Sequence, residues 1–286
     1  PAGILGDTLY MTTSLEAPNQ CVYAVDLTRP EKDQWHLVIP ERKDQLLRGL
    51  SMARGMLIGR YTVDVTDRLE RFDLVGTPTG SIELPGLGTA SISTESDRTD
   101  AFIAYSSYNE PRTIYHVDLD TMKRSLWARP DVPVDVDSVI VTQEWATSPD
   151  GTRVPMFIIR NKDVKPTGEN PCVLYGYGGF KISLTPRFYA TNFPFYDKGG
   201  IYVVANLRGG GEFGEPWHRA GMLENKQNVF DDLYATCEHL FKQGWTNADH
   251  LAVMGGSNGG LLTGNMLARS PELFGAIVCQ VPLLDM

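Results

Sequence analysis

The second half of the chain, residues 136–286, alternates short apolar runs with amphipathic stretches. The apolar runs predict strands at Val139–Trp145, Val154–Ile159, Cys172–Tyr175, Ile201–Leu207, Leu251–Met254 and Ala276–Gln280. The first two flank the turn sequence 148–151, which predicts a β-hairpin. A helix is predicted over Asn228–Gln243, because apolar residues recur on one stripe at Phe230, Leu233, Cys237, Leu240 and Phe241. This alternation predicts an open α/β sheet, whose sites lie at the carboxyl ends of its strands.

Residues 1–135 have a different, purely β pattern that repeats. An apolar strand recurs at 9–14, 56–61 and 102–107, and each is followed by a strand ending in Asp-Leu and then by a third short strand, such as 35–39 and 80–84. The aspartates are Asp26, Asp73 and Asp118, so the period is 47 and then 45 residues. A period in the forties is typical of β-propeller blades, and the repeats predict about three blades of an incomplete propeller. The alternative is a β-sandwich with coincidental spacing. The Pro-rich break at 130–135 divides the chain into 1–135 and 136–286.

The sequence Gly255-Gly256-Ser257-Asn258-Gly259 joins the Leu251–Met254 strand to a second predicted helix. The inner face of this helix is expected at Leu261, Leu262, Met266 and Leu267. The G-x-S-x-G pattern between a strand and a helix is that of a nucleophile elbow, in which a strained turn exposes the serine hydroxyl. Ser257 is therefore the candidate nucleophile, and the Asn258 N–H is a candidate donor to an oxyanion. The alternative is an ordinary Gly-rich turn.

Two further Gly-rich loops follow predicted strands. Tyr175-Gly-Tyr-Gly-Gly-Phe180 occupies the position of the loop that supplies the second oxyanion donor in α/β-hydrolases. The Tyr177 hydroxyl is a candidate for that role, and aromatic packing of the loop is the alternative. In Asn206-Leu-Arg-Gly-Gly-Gly-Glu-Phe-Gly214, we expect Arg208 and Glu212 to form a local ion pair.

The histidines do not complete a catalytic triad. A structural role is expected for all five, which are His36, His116, His218, His239 and His250. The α/β-hydrolase order is serine, acid, histidine, and no histidine follows Ser257. Without a general base, a serine hydroxyl is a poor nucleophile. Because the chain also starts at Pro1, we expect it to be a piece of a longer protein.

Composition narrows the class of partner. A net charge of −9 argues against nucleic-acid and anionic-membrane partners. No apolar run is long enough to span a bilayer. The four cysteines show no metal-ligand spacing, and no metal or cofactor is predicted. We expect a monomer in a reducing compartment, the cytoplasm, with the periplasm as the alternative.

Taken together, these stretches resemble the prolyl oligopeptidase family of serine peptidases. The resemblance rests on four blocks in the family's order: 174–180, 206–214, 225–232 and 255–260. It implies an α/β-hydrolase domain capped by a propeller that admits short peptides. It further implies Ser257 as the nucleophile, with the Asn258 N–H and the Tyr177 hydroxyl as the oxyanion hole. Phe180 and Leu283 would line the substrate pocket, where a proline ring would stack on the aromatic side chain. The family's catalytic Asp and His would lie beyond Met286.

Three alternatives to a proline-specific peptidase stay open. A relative with basic or broad specificity would keep the chemistry, although such relatives usually have Ala where Asn258 stands. A carboxylesterase or lipase would change the bond cleaved, but a propeller cap would hinder a lipid. A catalytically inactive binding protein is favoured only by the missing base.

Overall fold

The computed structural model describes residues 2–285, which form two compact units. The first comprises 2–131 together with 186–188, and the second comprises 132–185 together with 189–285.

The first unit contains three four-stranded antiparallel meanders, in which each strand pairs with the next along the chain. The first sheet contains β1 (Ala2–Leu5), β2 (Thr8–Thr13), β3 (Cys21–Asp26) and β4 (His36–Ile39). The second contains β5 (Leu46–Ala53), β6 (Met56–Val63), β7 (Thr66–Asp73) and β8 (Pro78–Ile82). The third contains β9 (Thr89–Thr94), β10 (Asp100–Ser106), β11 (Thr113–Asp118) and β12 (Arg124–Ala128). The sequence pattern predicts the last three strands of each blade. The structure adds a first strand to each blade that the pattern did not predict.

The repeated aspartate has the same structural role in all three sheets. Asp26, Asp73 and Asp118 each end the third strand, and each carboxylate accepts backbone N–H bonds from the turn that follows. These bonds are Asx-turn contacts that reverse the chain toward the fourth strand. The pKa of each of the three carboxyl groups is lowered, chiefly by the Thr28 hydroxyl at Asp26 and by the backbone N–H groups of Thr77 and Thr121 at Asp73 and Asp118. The sequence period therefore reflects a repeated turn.

Neighbouring blades share their cores. One buried cluster joins the first and second sheets and includes Val22, Leu57 and Phe72. Another joins the second and third sheets and includes Ile58, Leu69 and Ile103. Face-to-face packing of successive meanders through apolar side chains is the arrangement of propeller blades.

The second unit contains one six-stranded sheet in the order β13-β14-β16-β15-β17-β18. Its strands are β13 (Val139–Thr147), β14 (Arg153–Asn161), β15 (Cys172–Gly176), β16 (Ile201–Ala205), β17 (Leu251–Gly256) and β18 (Ala276–Gln280). The strands β13 and β14 form the predicted hairpin, and the last four strands are parallel. The helices are α1 (Phe193–Tyr196), α2 (Gly214–Arg219), α3 (Gln227–Lys242) and α4 (Asn258–Arg269).

The two longer helices bury most of their expected faces, and Leu261 and Phe241 are half-buried. Leu233, Cys237 and Leu240 of α3 are fully buried with Leu262 and Met266 of α4 in the main core of this unit. Leu267, predicted on the inner face of α4, is instead 57% exposed, so that prediction is wrong. At the 3.6-residue period, the position after Met266 turns away from the sheet.

Strand β15 lies at the point where the strand order reverses. The chain passes from β15 to β16 on one side and then to β17 on the other. The loops that leave β15 and β17 therefore emerge side by side at the carboxyl edge, where open α/β sheets place their sites.

Candidate active site

Ser257 occupies a sharp corner between β17 and α4. Its backbone angles are φ 56° and ψ −114°, a conformation that a non-glycine residue adopts only under strain. The corner is held by hydrogen bonds from the Ser257 N–H to the Gln280 carbonyl at 3.0 Å and from the Leu283 N–H to the Ser257 carbonyl at 3.3 Å. The side chain is half-buried. This is the geometry of a nucleophile elbow, as the sequence predicted.

The glycines around Ser257 are required by close backbone contacts. A Cβ atom on Gly255 would overlap the Gly259 carbonyl, and one on Gly259 would lie 2.7 Å from the Gly176 carbonyl. A Cβ on Gly260 would lie 2.7 Å from the Gln280 carbonyl. The helix α4 therefore approaches β15 and β18 more closely than side chains at these positions would allow.

The structure brings Tyr177 and Asn258 together. Asn258 is the first residue of α4 and is 2% exposed, and its Nδ2 donates to the Tyr177 carbonyl. Gly178 has a φ of +61°, which turns the chain back immediately after Tyr177. A Cβ on Gly179 would lie 2.5 Å from Asn258 Nδ2. The loop after β15 is thus in direct contact with the start of α4.

The two predicted pocket residues border this corner from different elements. Phe180 follows Gly179 directly, has a φ of +52°, and is 61% exposed. Its loop is fixed by the Lys181 N–H, which donates to the Gly209 carbonyl at 3.0 Å. Leu283 is half-buried, and its backbone bonds directly to Ser257.

The histidine side chains have other partners. His218 Nδ1 lies 2.9 Å from the Gly209 carbonyl, His239 Nε2 lies 2.6 Å from Glu144, and His250 Nδ1 lies 2.9 Å from Asn247. His116 contacts Asp100 in the third blade. Within residues 2–285, no histidine contacts the Ser257 hydroxyl. The geometry thus supplies a strained serine at the start of α4 beside the Tyr177 loop, and among residues 2–285 no histidine lies against it.

The predicted ion pair between Arg208 and Glu212 is wrong. The guanidinium of Arg208 pairs with Asp232 of α3 at 2.6 Å and with Asp150 of the β13–β14 turn. The Glu212 carboxylate instead accepts from the Leu184 N–H at 2.9 Å and from Asn206 Nδ2 at 3.2 Å. Residues four apart face each other on a helix, but this segment is a loop, so their spacing does not bring the two side chains together. Although burial opposes the charge, the hydrogen bonds to Asp232 and Asp150 raise the pKa of Arg208.

Lys226 lies near the site, and no sequence motif assigns it a role. It occupies the N-cap position of α3 without a side-chain capping bond, and its Nζ donates to the Gly178 carbonyl at 2.9 Å and to Asn258 Oδ1 at 3.3 Å. Burial lowers the pKa of Lys226 to about 8. The available signal in the sequence was a lysine at the start of a helix whose first turn contains no acidic residue.

The remaining observations concern metal binding and membrane spanning. In residues 2–285, no group of His, Cys, Asp or Glu side chains is arranged to hold a metal ion. No helix in that same range is both long and apolar enough to cross a bilayer.

Fold and site together define a chain of β-propeller blades joined to an α/β-hydrolase unit with a serine elbow. The sequence model described as the prolyl oligopeptidase family matches residues 186–286, and that of the family's N-terminal β-propeller domain matches residues 4–130. The chain belongs to the prolyl oligopeptidase family.

Individual relatives agree with this assignment. The prolyl endopeptidase of Elizabethkingia miricola is 36% identical over 98% of this chain and 40% of its own length. A solved prolyl endopeptidase superposes with a TM-score of 0.91 at 43% identity, covering 100% of this chain and 42% of that one. The apo structure of prolyl oligopeptidase B from Galerina marginata gives a TM-score of 0.90 at 34% identity, over 100% of this chain and 42% of that one. The chain thus spans about two fifths of the length of these relatives.

Proposed function

We propose that this chain carries the nucleophile, the oxyanion hole and part of the substrate pocket of a serine peptidase that cleaves short peptides on the carboxyl side of proline. The observation that carries the proposal is the strained Ser257 at the start of α4, with the Tyr177 loop bonded to Asn258 beside it. We assign the Asn258 N–H and the Tyr177 hydroxyl as the two donors to the oxyanion. Such donors stabilise the oxyanion of a tetrahedral intermediate.

In the proposed mechanism, Ser257 Oγ attacks the scissile carbonyl and forms an acyl-enzyme that water then hydrolyses. The proton of the hydroxyl passes to a histidine oriented by an aspartate, and the histidine gives it to the leaving amine as the scissile C–N bond breaks. We place both of these residues in a longer protein that contains the 286 residues, because the contacts of His218, His239 and His250 leave none of them at Ser257.

Proline specificity is proposed from the pocket. Phe180 offers a largely exposed aromatic face next to the oxyanion loop, and Leu283 adds an apolar surface tied to Ser257. A proline ring is flat and apolar, so an aromatic face and an aliphatic side chain suit it. The prolyl endopeptidase names of the relatives support the same substrate class.

The partners and the cellular compartment are proposed from the net charge and the cysteines. The net charge of −9 disfavours nucleic acid and anionic membranes as partners. All four cysteines are free, which fits a reducing compartment such as the cytoplasm. We keep a monomer as the working state.

The deciding experiment compares full-length wild-type protein with Ser257→Ala. We expect wild type to hydrolyse a chromogenic Gly-Pro substrate and to be labelled by a serine-directed fluorophosphonate, and we expect Ser257→Ala to do neither while remaining folded. Turnover and labelling that persist in Ser257→Ala would refute the nucleophile assignment.

The same preparation separates the alternative functions. Preference for a Gly-Arg substrate would indicate basic specificity, and preference for a p-nitrophenyl ester would indicate an esterase. A folded wild-type protein with no Ser257-dependent hydrolysis would indicate a binding protein.

A further inference from the structure

Lys226 places a positive charge where the local structure disfavours one. The residue is half-buried, whereas its neighbours Asn225 and Gln227 are exposed. It lies at the N-terminus of α3, where the helix dipole is unfavourable to a cation. Among residues 2–285, no carboxylate lies within ion-pair distance of its Nζ, although buried ammonium groups are normally paired.

Both side-chain hydrogen bonds of Lys226 go to residues in or next to the candidate oxyanion hole. Its Nζ donates to the carbonyl of Gly178, the residue after Tyr177, and to Oδ1 of Asn258. The same Asn258 amide donates through Nδ2 to the Tyr177 carbonyl. These three hydrogen bonds connect the start of α3, the loop after β15 and the start of α4.

We propose that Lys226 is a positioning residue for the oxyanion hole, which ties the Gly178 carbonyl to the Asn258 side chain and so sets the distance between the Tyr177 hydroxyl and the Asn258 N–H. The inference rests on the proposed function, because it assigns Lys226 to the same reaction. Two donors on separate elements must converge on one oxygen atom, and a misplacement of about 1 Å is enough to cost about 10²-fold in rate.

The ammonium has a second effect on the same reaction. It adds positive potential beside the N-terminus of α4, where the intermediate develops negative charge. Burial lowers the pKa of Lys226 to about 8, so the side chain still carries its charge at neutral pH. An apolar side chain of similar length, such as Met, would lose both the bridge and this charge.

The test uses the full-length protein with Lys226→Met, Lys226→Arg and the control Lys242→Met. Lys242 is an exposed lysine in the last turn of the same helix. We expect Lys226→Met to lower kcat about 10- to 100-fold, less than the roughly 10²- to 10³-fold loss of a whole oxyanion donor, with KM within about threefold of wild type. Lys226→Arg keeps a charged donor and should recover most of the loss, and Lys242→Met should match wild type.

Thermal unfolding of each variant shows whether it is folded. If Lys226→Met does not fold, Lys226→Gln replaces it, because glutamine is neutral but still donates a hydrogen bond. An unchanged kcat in a folded Lys226→Met protein, or a loss confined to KM, would overturn the inference. A loss of kcat that Arg fails to recover would also overturn it. If wild type shows no Ser257-dependent hydrolysis, the proposed function fails and this inference fails with it. If wild type is active and only the Lys226 prediction fails, the proposed function stands.

Discussion

The contact between Arg208 and Asp232 gives the sharpest prediction about stability. The Arg208 side chain is 4% exposed and that of Asp232 is fully buried. The Asp232 carboxylate accepts from Nε and Nη2 of Arg208 and also from the Arg208 backbone N–H at 3.0 Å. Because this backbone N–H immediately precedes the Gly209 that holds the Phe180 loop, Asp232 fixes one side of the candidate site to α3. The perturbation we propose is Asp232→Asn.

The size of the effect follows from burial. Removing one partner of a buried ion pair typically costs about 3–5 kcal/mol, because the other charge is left uncompensated. Asp150 remains beside the guanidinium, but its side chain is 47% exposed and compensates only in part. We therefore expect the lower end of the range, about 3 kcal/mol of unfolding free energy. That corresponds to about a hundredfold change in the folding equilibrium.

Equilibrium urea unfolding followed by tryptophan fluorescence measures this loss. Trp217 donates to the Leu207 carbonyl at 3.0 Å, so it reports on the same loop. The matched control is Asp231→Asn, since Asp231 precedes Asp232 but bonds to Gln227 on the outer part of the helix. The control should lie within about 0.5 kcal/mol of wild type. A loss below about 1 kcal/mol for Asp232→Asn, or equal losses for both variants, would refute the role of the buried pair.

Three further predictions concern the site and its surroundings. Tyr177→Phe in the full-length protein should lower kcat by about 10²- to 10³-fold, the scale of one oxyanion donor; a loss from Tyr175→Phe and none from Tyr177→Phe would transfer the role to Tyr175. Burial acts to raise the pKa of Asp150, but hydrogen bonds from Thr152 and Arg208 outweigh it and lower the pKa from 3.8 to about 2. The stabilisation from Asp150 is then complete above about pH 4 and is lost as the pH falls toward 2, so urea midpoints of Asp150→Asn should vary less than those of wild type in that window. Residues 1–286 expressed alone should hydrolyse a Gly-Pro substrate several orders of magnitude more slowly than the full-length protein, and equal rates that depend on Ser257 would identify a base among the histidines present.

The sequence determined those features that depend on residues close together along the chain. The elbow was predictable because a strand, two glycines, Ser257 and a helix follow one another, and the clash with Gly259 that requires Gly255 arises from that connection. The blades were predictable because each repeat ends its third strand with an aspartate that caps the next turn, as at Asp73. The parallel sheet was predictable because strands such as Ile201–Ala205 are apolar on both faces.

The first strand of the third blade left no comparable signal. In β9, Thr89–Thr94, polar residues alternate with only Ala90 and Ile92, and the strand is identified by its pairing with β10. Local hydrophobicity is too low there to mark a strand, and only tertiary pairing defines it.

Contacts between distant segments were decided by the tertiary structure alone. Arg208 was predicted to pair with Glu212, four residues away, but its partners Asp232 and Asp150 come from a helix and a turn far along the chain. The bridge from Lys226 to Gly178 and Asn258 joins residues 48 and 32 positions apart. No periodicity or motif encodes such a meeting, because it depends on the strand order that places the loops after β15 and β17 side by side. Sequence patterns reflect constraints between residues that are close along the chain. The pairing of charges and the geometry of an oxyanion hole depend on distances that only the folded sheet fixes.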